Sequence, residues 1–177
     1  MNIILIAAVS ADGKIAQHEG QTSLDWTCKE DTQFFVSKTK EVGVVIMGRK
    51  TFETIGKPLK GRRMIVMSRG SEVAAGFSLR KNSEGREMGT IEFTNDSPKE
   101  LLFRLTQEGC ESVVIAGGAS IYSAFLKDGL VDELFLTVEP VLFGSGVPLG
   151  FEFDRVNLRL LEVTRLGDQA VLLHYRI

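Results

Sequence analysis

Short, continuous apolar runs recur along this chain, separated by segments that mix apolar residues with charged and polar ones. A run that is apolar throughout, rather than alternating, is typical of a strand covered on both faces of a sheet. The pattern predicts such strands at residues 2–9, 44–47, 64–67 and 112–116, and residues 133–139 also resemble a strand. Because helical segments alternate with these strands, the pattern predicts an α/β protein with a mostly parallel central sheet and flanking helices.

The segments between the strands predict helices, and some of their starts carry capping residues. The helical segments are residues 29–40, 50–55, 98–108 and a helix that follows residues 117–120 and runs through residue 126. Thr27 is the candidate N-cap of the first helix. Ser97, Pro98 and Glu100 have the spacing of a capping box at the third helix.

The remaining segments lack a helical pattern. Residues 157–166 and 170–176 predict an antiparallel hairpin at the edge of the sheet. Residues 10–24 are polar and contain two glycines, so we expect a long, mobile loop there. Between residues 70 and 89 the pattern weakens, and we expect an edge strand near residues 77–79 followed by an exposed loop.

Size and charge narrow the class of protein. A chain of 177 residues and 19.5 kDa predicts a single domain, residues 1–177, with a substantial core. The net charge of -2 gives no reason to expect nucleic acid or an anionic membrane as a partner. The apolar run at residues 3–9 is too short for a membrane span or a signal peptide, so we expect a cytoplasmic protein. Cys28 and Cys110 lie far apart without metal-binding spacing and are expected to be reduced thiols.

Two kinds of segment could bind a ligand that carries phosphates. Gly117-Gly118-Ala119-Ser120 lies where a strand meets a helix, and backbone N–H groups at a helix N-terminus can hold a pyrophosphate. This segment does not fit the Rossmann G-x-G-x-x-G pattern. The residues Arg49, Lys50 and Thr51 follow one predicted strand, and Ser68 and Arg69 follow the next. Basic residues at two adjacent strand ends favour a phosphate such as the 2′-phosphate of NADP, although exposed basic residues at strand ends give the same pattern.

A lone carboxylate is the candidate for a polar head group. Asp31 lies near the start of the first predicted helix, behind Trp26, and could bind a cationic or amidine-like heterocycle. An acid at this position also complements the helix dipole without any function, and a lone tryptophan is more often part of a core. Arg62 could clamp a carboxylate or a phosphate with two hydrogen bonds, or simply solvate a turn. His18 and His174 are isolated and indicate neither a metal site nor a catalytic triad.

Taken together, these segments resemble the dihydrofolate reductase family over nearly the whole chain. The segments that carry the resemblance are Trp26 with Asp31, Ile46-Met47-Gly48-Arg49-Lys50-Thr51-Phe52, Pro58-Leu59-Lys60-Gly61-Arg62, Gly117-Gly118-Ala119-Ser120-Ile121-Tyr122 and Leu136-Thr137. The resemblance implies a dihydrofolate reductase-like three-layer sandwich. It also implies reduction of 7,8-dihydrofolate to tetrahydrofolate, with hydride transfer from NADPH to C6 and protonation at N5. It leaves open whether the protein is a monomer or a homodimer.

The resemblance also implies roles for individual residues. Asp31 would accept hydrogen bonds from N3 and the 2-amino group of the pterin, with Thr137 and Trp26 as the other implied catalytic residues. The implied substrate-binding residues are Ala8, Phe35, Ile55, Leu59 and Arg62, of which Arg62 would clamp the glutamate carboxylate. The implied NADPH-binding residues are Ala7, Ile15, Gly48, Arg49, Lys50, Thr51, Ser68, Arg69, Ala116, Gly117, Gly118, Ala119, Ser120, Ile121 and Tyr122. A cis peptide between Gly117 and Gly118 is implied as well.

Other parts of the chain depart from that family. The loop before Trp26 is longer than usual, and Asp25 and Lys29 stand at positions that are normally proline. Residues 9–16 and 23–27 are similar to the reductase domain of riboflavin biosynthesis. That enzyme, 5-amino-6-(5-phosphoribosylamino)uracil reductase, uses NADPH to reduce the ribose of a pyrimidine-ribose phosphate. Asp31 favours dihydrofolate, because a ribose has no amidine for a carboxylate to bind.

A third hypothesis comes from another class of protein, a nucleotide-binding module without catalysis. Asp31, Thr137 and the implied cofactor positions are all present in the sequence. Nothing in the chain therefore suggests that a catalytic site has decayed, and this hypothesis is the least favoured of the three.

Overall fold

The structure is a computed structural model that describes residues 1–69 and 89–177. The strands of this part are β1 (Asn2–Ser10), β2 (Lys14–Ala16), β3 (Val44–Gly48), β4 (Arg63–Met67), β5 (Thr90–Thr94), β6 (Ser112–Ile115), β7 (Glu133–Glu139), β8 (Val147–Pro148), β9 (Arg159–Leu166) and β10 (Ala170–Arg176). The helices are α1 (Lys29–Val42), α2 (Arg49–Ile55), α3 (Pro98–Gln107) and α4 (Ala119–Lys127), and a single 3-10 turn covers Ser23–Asp25. The edge strand predicted near residues 77–79 lies outside the described residues.

Eight of these strands form one sheet in the order β5-β4-β3-β6-β1-β7-β10-β9. The pairs from β5 to β7 are parallel, whereas β10 pairs antiparallel with both β7 and β9. A mostly parallel sheet with antiparallel C-terminal edge strands was predicted from the apolar runs and is confirmed.

Helices cover both faces of the sheet. On one face, Leu101 and Leu105 of α3 and Phe125 of α4 pack with Leu5 and Ile115 of the sheet in one buried cluster. On the other face, α1 and α2 are the covering helices. The side chains that pack there are Phe34, Phe35 and Val42 of α1, and Phe52 and Ile55 of α2. The result is the three-layer α/β sandwich that the resemblance implied, with β1 and β6 buried at its centre.

Two local predictions were wrong. The N-cap of α1 is Cys28 rather than Thr27, because the Cys28 backbone is extended and its Sγ accepts the Asp31 N–H at 3.4 Å. Residues 10–24 are not simply a loop, since β2 pairs antiparallel with β8. Asp12 fixes this region by accepting hydrogen bonds from the amides of Phe143 and Gly144.

Other local predictions hold. The peptide between Gly117 and Gly118 is cis. The sulfur atoms of Cys28 and Cys110 are free thiols. The capping box of α3 is complete, because Ser97 Oγ accepts the Glu100 N–H and Glu100 Oε2 accepts the Ser97 N–H.

We expect Ser97→Ala to destabilise the protein by about 1 kcal/mol, because the first turn of α3 loses its side-chain acceptor. For a chain of this length, that loss lowers Tm by roughly 2–4 °C in a thermal melt. Ser97→Asp is the matched control, since aspartate also accepts the N–H and should keep Tm close to that of the wild type. Equal Tm values for Ser97→Ala and the wild type would contradict the role of the cap.

Candidate active site

The candidate site lies at the carboxyl ends of the parallel strands, beside β1. Along the chain, β3, β4 and β5 build the sheet on one side of β1, whereas β7 lies on the other side. In open α/β sheets, ligands bind outside the carboxyl ends of the strands where the strand order reverses in this way. The register places Ala8 of β1 directly beside Thr137 of β7, so both side chains lie on the face that α1 covers.

Helix α1 presents one stripe of side chains to this region. Asp31, Phe35 and Thr39 follow one another at intervals of four residues, which places them on one side of the helix. Asp31 and Thr39 are the two buried residues of α1, and Phe35 packs against the core. Asp31 and Thr39 are separated by two turns, roughly 12 Å along the axis.

Asp31 occupies the N-terminal end of the stripe and is 8% exposed. Burial is the largest influence on its carboxyl group and raises the pKa above the ordinary value of 3.8. The negative charge of Glu139 raises this pKa further, whereas the nearby hydroxyls of Thr137 and Thr27 lower it. The net effect is a raised pKa, so the carboxylate holds its proton more tightly than an exposed aspartate does.

Three buried polar atoms without partners belong to Trp26, Thr27 and Thr137, and the two threonines lie close to Asp31. Within residues 1–69 and 89–177, Trp26 Nε1, Thr27 Oγ1 and Thr137 Oγ1 are the buried side-chain nitrogen or oxygen atoms that make no hydrogen bond. The two hydroxyls influence the Asp31 carboxylate, but neither has the geometry of a hydrogen bond to it. Buried polar groups are normally satisfied, so unpaired donors beside a buried carboxylate indicate a site that binds a polar ligand or water.

Arg62 lies at the other end of the α1 stripe. The side chain is 7% exposed, and its Nη1 donates to Thr39 Oγ1 at 2.8 Å. Its Nε donates to the carbonyl of Lys60 at 3.2 Å. Arg62 therefore does not merely solvate a turn, and burial lowers the pKa of its guanidinium. Ile55 and Leu59, which were predicted to bind the substrate, both pack against one buried apolar cluster on the face of the sheet that α1 and α2 cover.

Glycines bring β3 and β6 together at the predicted cofactor region. The Gly48 N–H donates to the Gly117 carbonyl at 2.8 Å, and the Gly117–Gly118 peptide is cis. A Cβ on Gly118 would lie 3.1 Å from Thr51 Oγ1, and one on Gly117 would lie 3.2 Å from the Tyr122 hydroxyl. Gly118 is the N-cap residue of α4 and has no side chain to cap it. N–H groups at a helix N-terminus can bind a pyrophosphate, which is the role predicted for this segment, and the Thr51 hydroxyl lies beside it.

Tyr122 links the predicted cofactor region to β1. Its hydroxyl donates to the carbonyl of Ile6 at 2.7 Å, and the residue is 4% exposed. Burial, and then the charge of Asp31, raise the pKa of this hydroxyl far above the ordinary value. Tyr122 is therefore neutral at physiological pH and within electrostatic reach of Asp31.

The predicted phosphate-binding residues lie at the ends of β3 and β4. Arg49 forms an ion pair with Glu53 at 2.7 Å, and Lys50 forms one with Glu19 at 2.6 Å. All four side chains are exposed, so these ion pairs are weak and an incoming phosphate can compete with them. The other predicted cofactor residues are Ala7, Ile15, Ser68, Arg69, Ala116, Ala119, Ser120 and Ile121. Ala7 and Ala119 are buried, Ser120 and Arg69 are exposed, and the rest are half-buried.

The sequence reasoning missed two residues of this region. Glu139 is a second buried carboxylate, 2% exposed, whose Oε1 accepts the N–H of Cys28 at 2.9 Å. The sequence could have indicated Glu139, because a residue two positions after Thr137 in a strand lies on the same face as Thr137. Glu19 could not have been found, since its contact with Lys50 joins residues that are distant in the chain.

Residues 1–69 and 89–177 hold no group of three or more His, Cys, Asp or Glu side chains that could bind a metal. No helix of that part is long and apolar enough to span a membrane.

Residues 1–172 match the RibD C-terminal domain family. The protein YwjB of Bacillus subtilis is 30% identical over 175 residues, which cover 97% of this chain and 95% of that protein. Dihydrofolate reductase type 3 of Salmonella typhimurium is 35% identical over 137 residues, which cover 77% of this chain and 71% of that enzyme.

Solved structures of a RibD protein and of a dihydrofolate reductase share this fold. Acinetobacter baumannii RibD superimposes with a TM-score of 0.79 at 25% identity, over 99% of this chain and 57% of that chain. Dihydrofolate reductase from Enterococcus faecalis, complexed with NADP(H) and RAB-propyl, gives a TM-score of 0.65 at 22% identity. This second alignment covers 99% of this chain and 95% of that chain, and it shows the shared fold.

The fold, the site and these relatives define the class of oxidoreductases that unites dihydrofolate reductases with the reductase of riboflavin biosynthesis. Within that class, the chain belongs to the RibD C-terminal domain family. The prediction of NADPH as the cofactor agrees with this class, since the Enterococcus neighbour is complexed with NADP(H).

We expect Asp31→Asn to be more stable than the wild type at pH 7. A carboxyl group with a raised native pKa favours folding when it is protonated, and this contribution is lost as the pH rises through the native pKa. The asparagine removes that cost, and each kcal/mol gained raises Tm by roughly 2–4 °C. Thermal melts should show the difference shrinking as the pH is lowered towards 3.8, the ordinary value for aspartate.

The control for this experiment is Glu41→Gln, which removes an exposed acid from the last turn of the same helix. Its Tm should differ little from that of the wild type at either pH. An Asp31→Asn variant less stable than the wild type at pH 7 would show that Asp31 stabilises the fold instead.

Proposed function

We propose that this protein reduces 7,8-dihydrofolate to tetrahydrofolate with NADPH as the hydride donor. The observation that carries the proposal is the buried carboxylate of Asp31 beside the unpaired hydroxyls of Thr27 and Thr137, at the head of a stripe whose other end, Thr39, bonds Arg62. This arrangement suits a long ligand with a polar aromatic head and an anionic tail. Dihydrofolate has both.

Asp31 binds the head group of the substrate in this proposal. Its two oxygens accept hydrogen bonds from N3–H and the 2-amino group of the pterin, which together present a planar pair of donors. The carboxylate thereby stabilises the protonated ring, so that N5 acquires a proton from water more readily. Thr137 Oγ1, buried and unpaired, can donate to the carboxylate, and Trp26 Nε1 can donate to a ring oxygen or to a water.

The rest of the stripe binds the remainder of the substrate. Phe35, Ile55 and Leu59 supply apolar surface for the benzoyl group. Arg62 supplies a guanidinium for the glutamate carboxylate, held in place by its bonds to Thr39 and the Lys60 carbonyl. A guanidinium fixed in this way loses little conformational freedom when it binds a carboxylate.

The cofactor supplies the hydride from its nicotinamide when it is bound. The chain's own contribution is a backbone that can approach the cofactor closely at Gly48, Gly117 and Gly118, where side chains are absent. The first N–H groups of α4 and the hydroxyl of Thr51 would hold the pyrophosphate. Arg49, Lys50, Ser68 and Arg69 would hold the adenosine phosphates, including the 2′-phosphate that distinguishes NADPH from NADH.

The second candidate is reduction of a pyrimidine-ribose phosphate, as in riboflavin biosynthesis. The match to the RibD C-terminal domain family over residues 1–172 favours it. The TM-score of 0.79 to Acinetobacter baumannii RibD supports the same reading. A shared fold does not fix the substrate, however, and a ribose has no amidine for Asp31 to bind. Assays of NADPH consumption with each substrate in parallel would separate the two candidates.

We expect Asp31→Asn to lower dihydrofolate turnover near neutral pH by about 100-fold or more, because the group that favours the protonated ring is lost. The NADPH dissociation constant should stay within about twofold of the wild-type value, since Asp31 does not face the predicted phosphate site. Steady-state NADPH oxidation and a binding titration measure the two quantities.

Glu41→Gln is again the matched control and should keep full turnover. Wild-type turnover in Asp31→Asn would refute the role of Asp31. A wild-type protein that binds NADPH but reduces only the pyrimidine-ribose phosphate would replace the proposed reaction with the second candidate.

We expect Arg62→Leu to raise the KM for dihydrofolate about tenfold or more while changing the KM for NADPH little. The reason is that, in the proposed complex, the guanidinium contacts the substrate tail and not the cofactor. Initial-rate kinetics with each substrate varied in turn provide the measurement.

Lys60→Leu removes a charge from the same turn and serves as the control. Equal increases in both KM values for Arg62→Leu would show that Arg62 supports the fold or the cofactor rather than the substrate. A thermal melt of each variant separates a local effect from partial unfolding.

A further inference from the structure

A second buried carboxylate, that of Glu139, acts on Asp31 but contacts neither substrate nor cofactor in the proposed reaction. Glu139 is the last residue of β7 and is 2% exposed. It lies two positions after Thr137, so strand alternation directs both side chains to the face that α1 covers. A charged residue this deeply buried is unusual unless it is paired or functional.

Contacts connect Glu139 to Asp31 through Cys28. Glu139 Oε1 accepts the Cys28 N–H at 2.9 Å, and Cys28 Sγ accepts the Asp31 N–H at 3.4 Å. Glu139 thus fixes the residue that caps α1, and the cap in turn fixes the first turn that carries Asp31. In the described part of the chain, neither carboxylate takes part in an ion pair with a cationic side chain.

The surroundings of the pair are acidic. Glu139 borders an open cavity of about 290 Å³. The titratable side chains that line it are Cys28, which caps α1, Glu30 of α1, Glu139 of β7, and Asp168 of the turn between β9 and β10. The charge of Asp31 also acts on the hydroxyl of Tyr122 in α4, and this hydroxyl is neutral. No lysine, arginine or histidine lines the cavity in residues 1–69 and 89–177.

A negative charge close to a buried carboxyl group disfavours its ionisation, because the two like charges repel each other. The charge of Glu139 accordingly raises the pKa of Asp31, in the same direction as burial. A cationic ligand beside Asp31 would relieve this repulsion.

We propose that Glu139 is a positioning residue of this active site, which orients Asp31 through Cys28 and places a second buried carboxylate near it, so that the pair favours a cationic head group. This inference rests on the proposed function and deepens it. The substrate class that follows is a heterocycle with paired donors that is protonated, or becomes protonated, in the site. A neutral uracil ring does not meet that requirement.

The test uses Glu139→Gln, because glutamine keeps an oxygen that accepts the Cys28 N–H but removes the charge. Trp26 is the sole tryptophan of the chain and precedes α1, so its fluorescence reports on this region. Fluorescence is followed from about pH 3 to pH 9 without any ligand, a range that covers ordinary and raised carboxyl pKa values. Carbon NMR of labelled aspartate carboxyl groups over the same range gives the midpoint independently of Trp26.

In the wild type we expect a transition that disappears in Asp31→Asn. In Glu139→Gln its midpoint should move to lower pH by about one unit, since a like charge has been removed. Glu139→Asp, which restores the charge, should move the midpoint back towards the wild-type value. Glu41→Gln, on an exposed part of α1, should leave it unchanged.

An identical midpoint in the wild type and Glu139→Gln would overturn the proposal, as would the absence of an Asp31 transition by both methods. If Glu139→Gln does not fold, Glu139→Asp supplies the test, since its midpoint should stay closer to the wild-type value than to the ordinary value of aspartate. A shifted midpoint in a protein that does not reduce dihydrofolate would support the carboxylate pair while refuting the proposed reaction, so the two failures are distinguishable.

Discussion

The parallel pairing of β1 with β6 on one side and β7 on the other is the constraint on which the rest of the site depends. It places Ala8 beside Thr137 and Ser10 beside Glu139, and the α1 helix covers the face on which these residues lie. Strand β6 in turn pairs in parallel with β3, which brings the carboxyl end of β6, with its cis glycine peptide, next to the carboxyl end of β3. A shift of one residue in the β1–β7 register would turn Thr137 and Glu139 to the opposite face. The predicted head-group and cofactor sites therefore both depend on the parallel pairings that extend from β1.

Polar groups that are buried without partners cost stability, and two of them lie beside the buried Asp31 carboxylate. These are the hydroxyls of Thr27 and Thr137. Such a cost is usual where a site is arranged for a ligand in advance. The apolar clusters on the two faces of the sheet supply stability against this cost.

Much of the fold could be predicted, because continuous apolar runs and capping residues act locally. The strands and the capping box of α3 followed from such signals. The cap of α1 could not be predicted in the same way, because the choice between Thr27 and Cys28 depends on the backbone path after the 3-10 turn. The placement of Asp31 in a helical first turn followed from sequence, but its burial, its link to Glu139 and the internal position of Arg62 arise from tertiary packing. The pairing of β2 with β8 joins segments that are remote in the chain and left no local signal.

The position of Cys28 has a consequence for chemical reactivity. A thiol at a helix N-terminus is ordinarily activated, since the helix dipole stabilises the thiolate. Here burial raises the pKa of the Cys28 thiol, and the charges of Glu139 and Asp31 raise it further. The thiol therefore stays protonated, and a protonated thiol is a poor nucleophile towards electrophilic reagents and a slow target for peroxide. Covalent inhibitors that target a cysteine would therefore react poorly with Cys28. Reversible cationic heterocycles, in contrast, would match the acidic surroundings of Asp31 and Glu139.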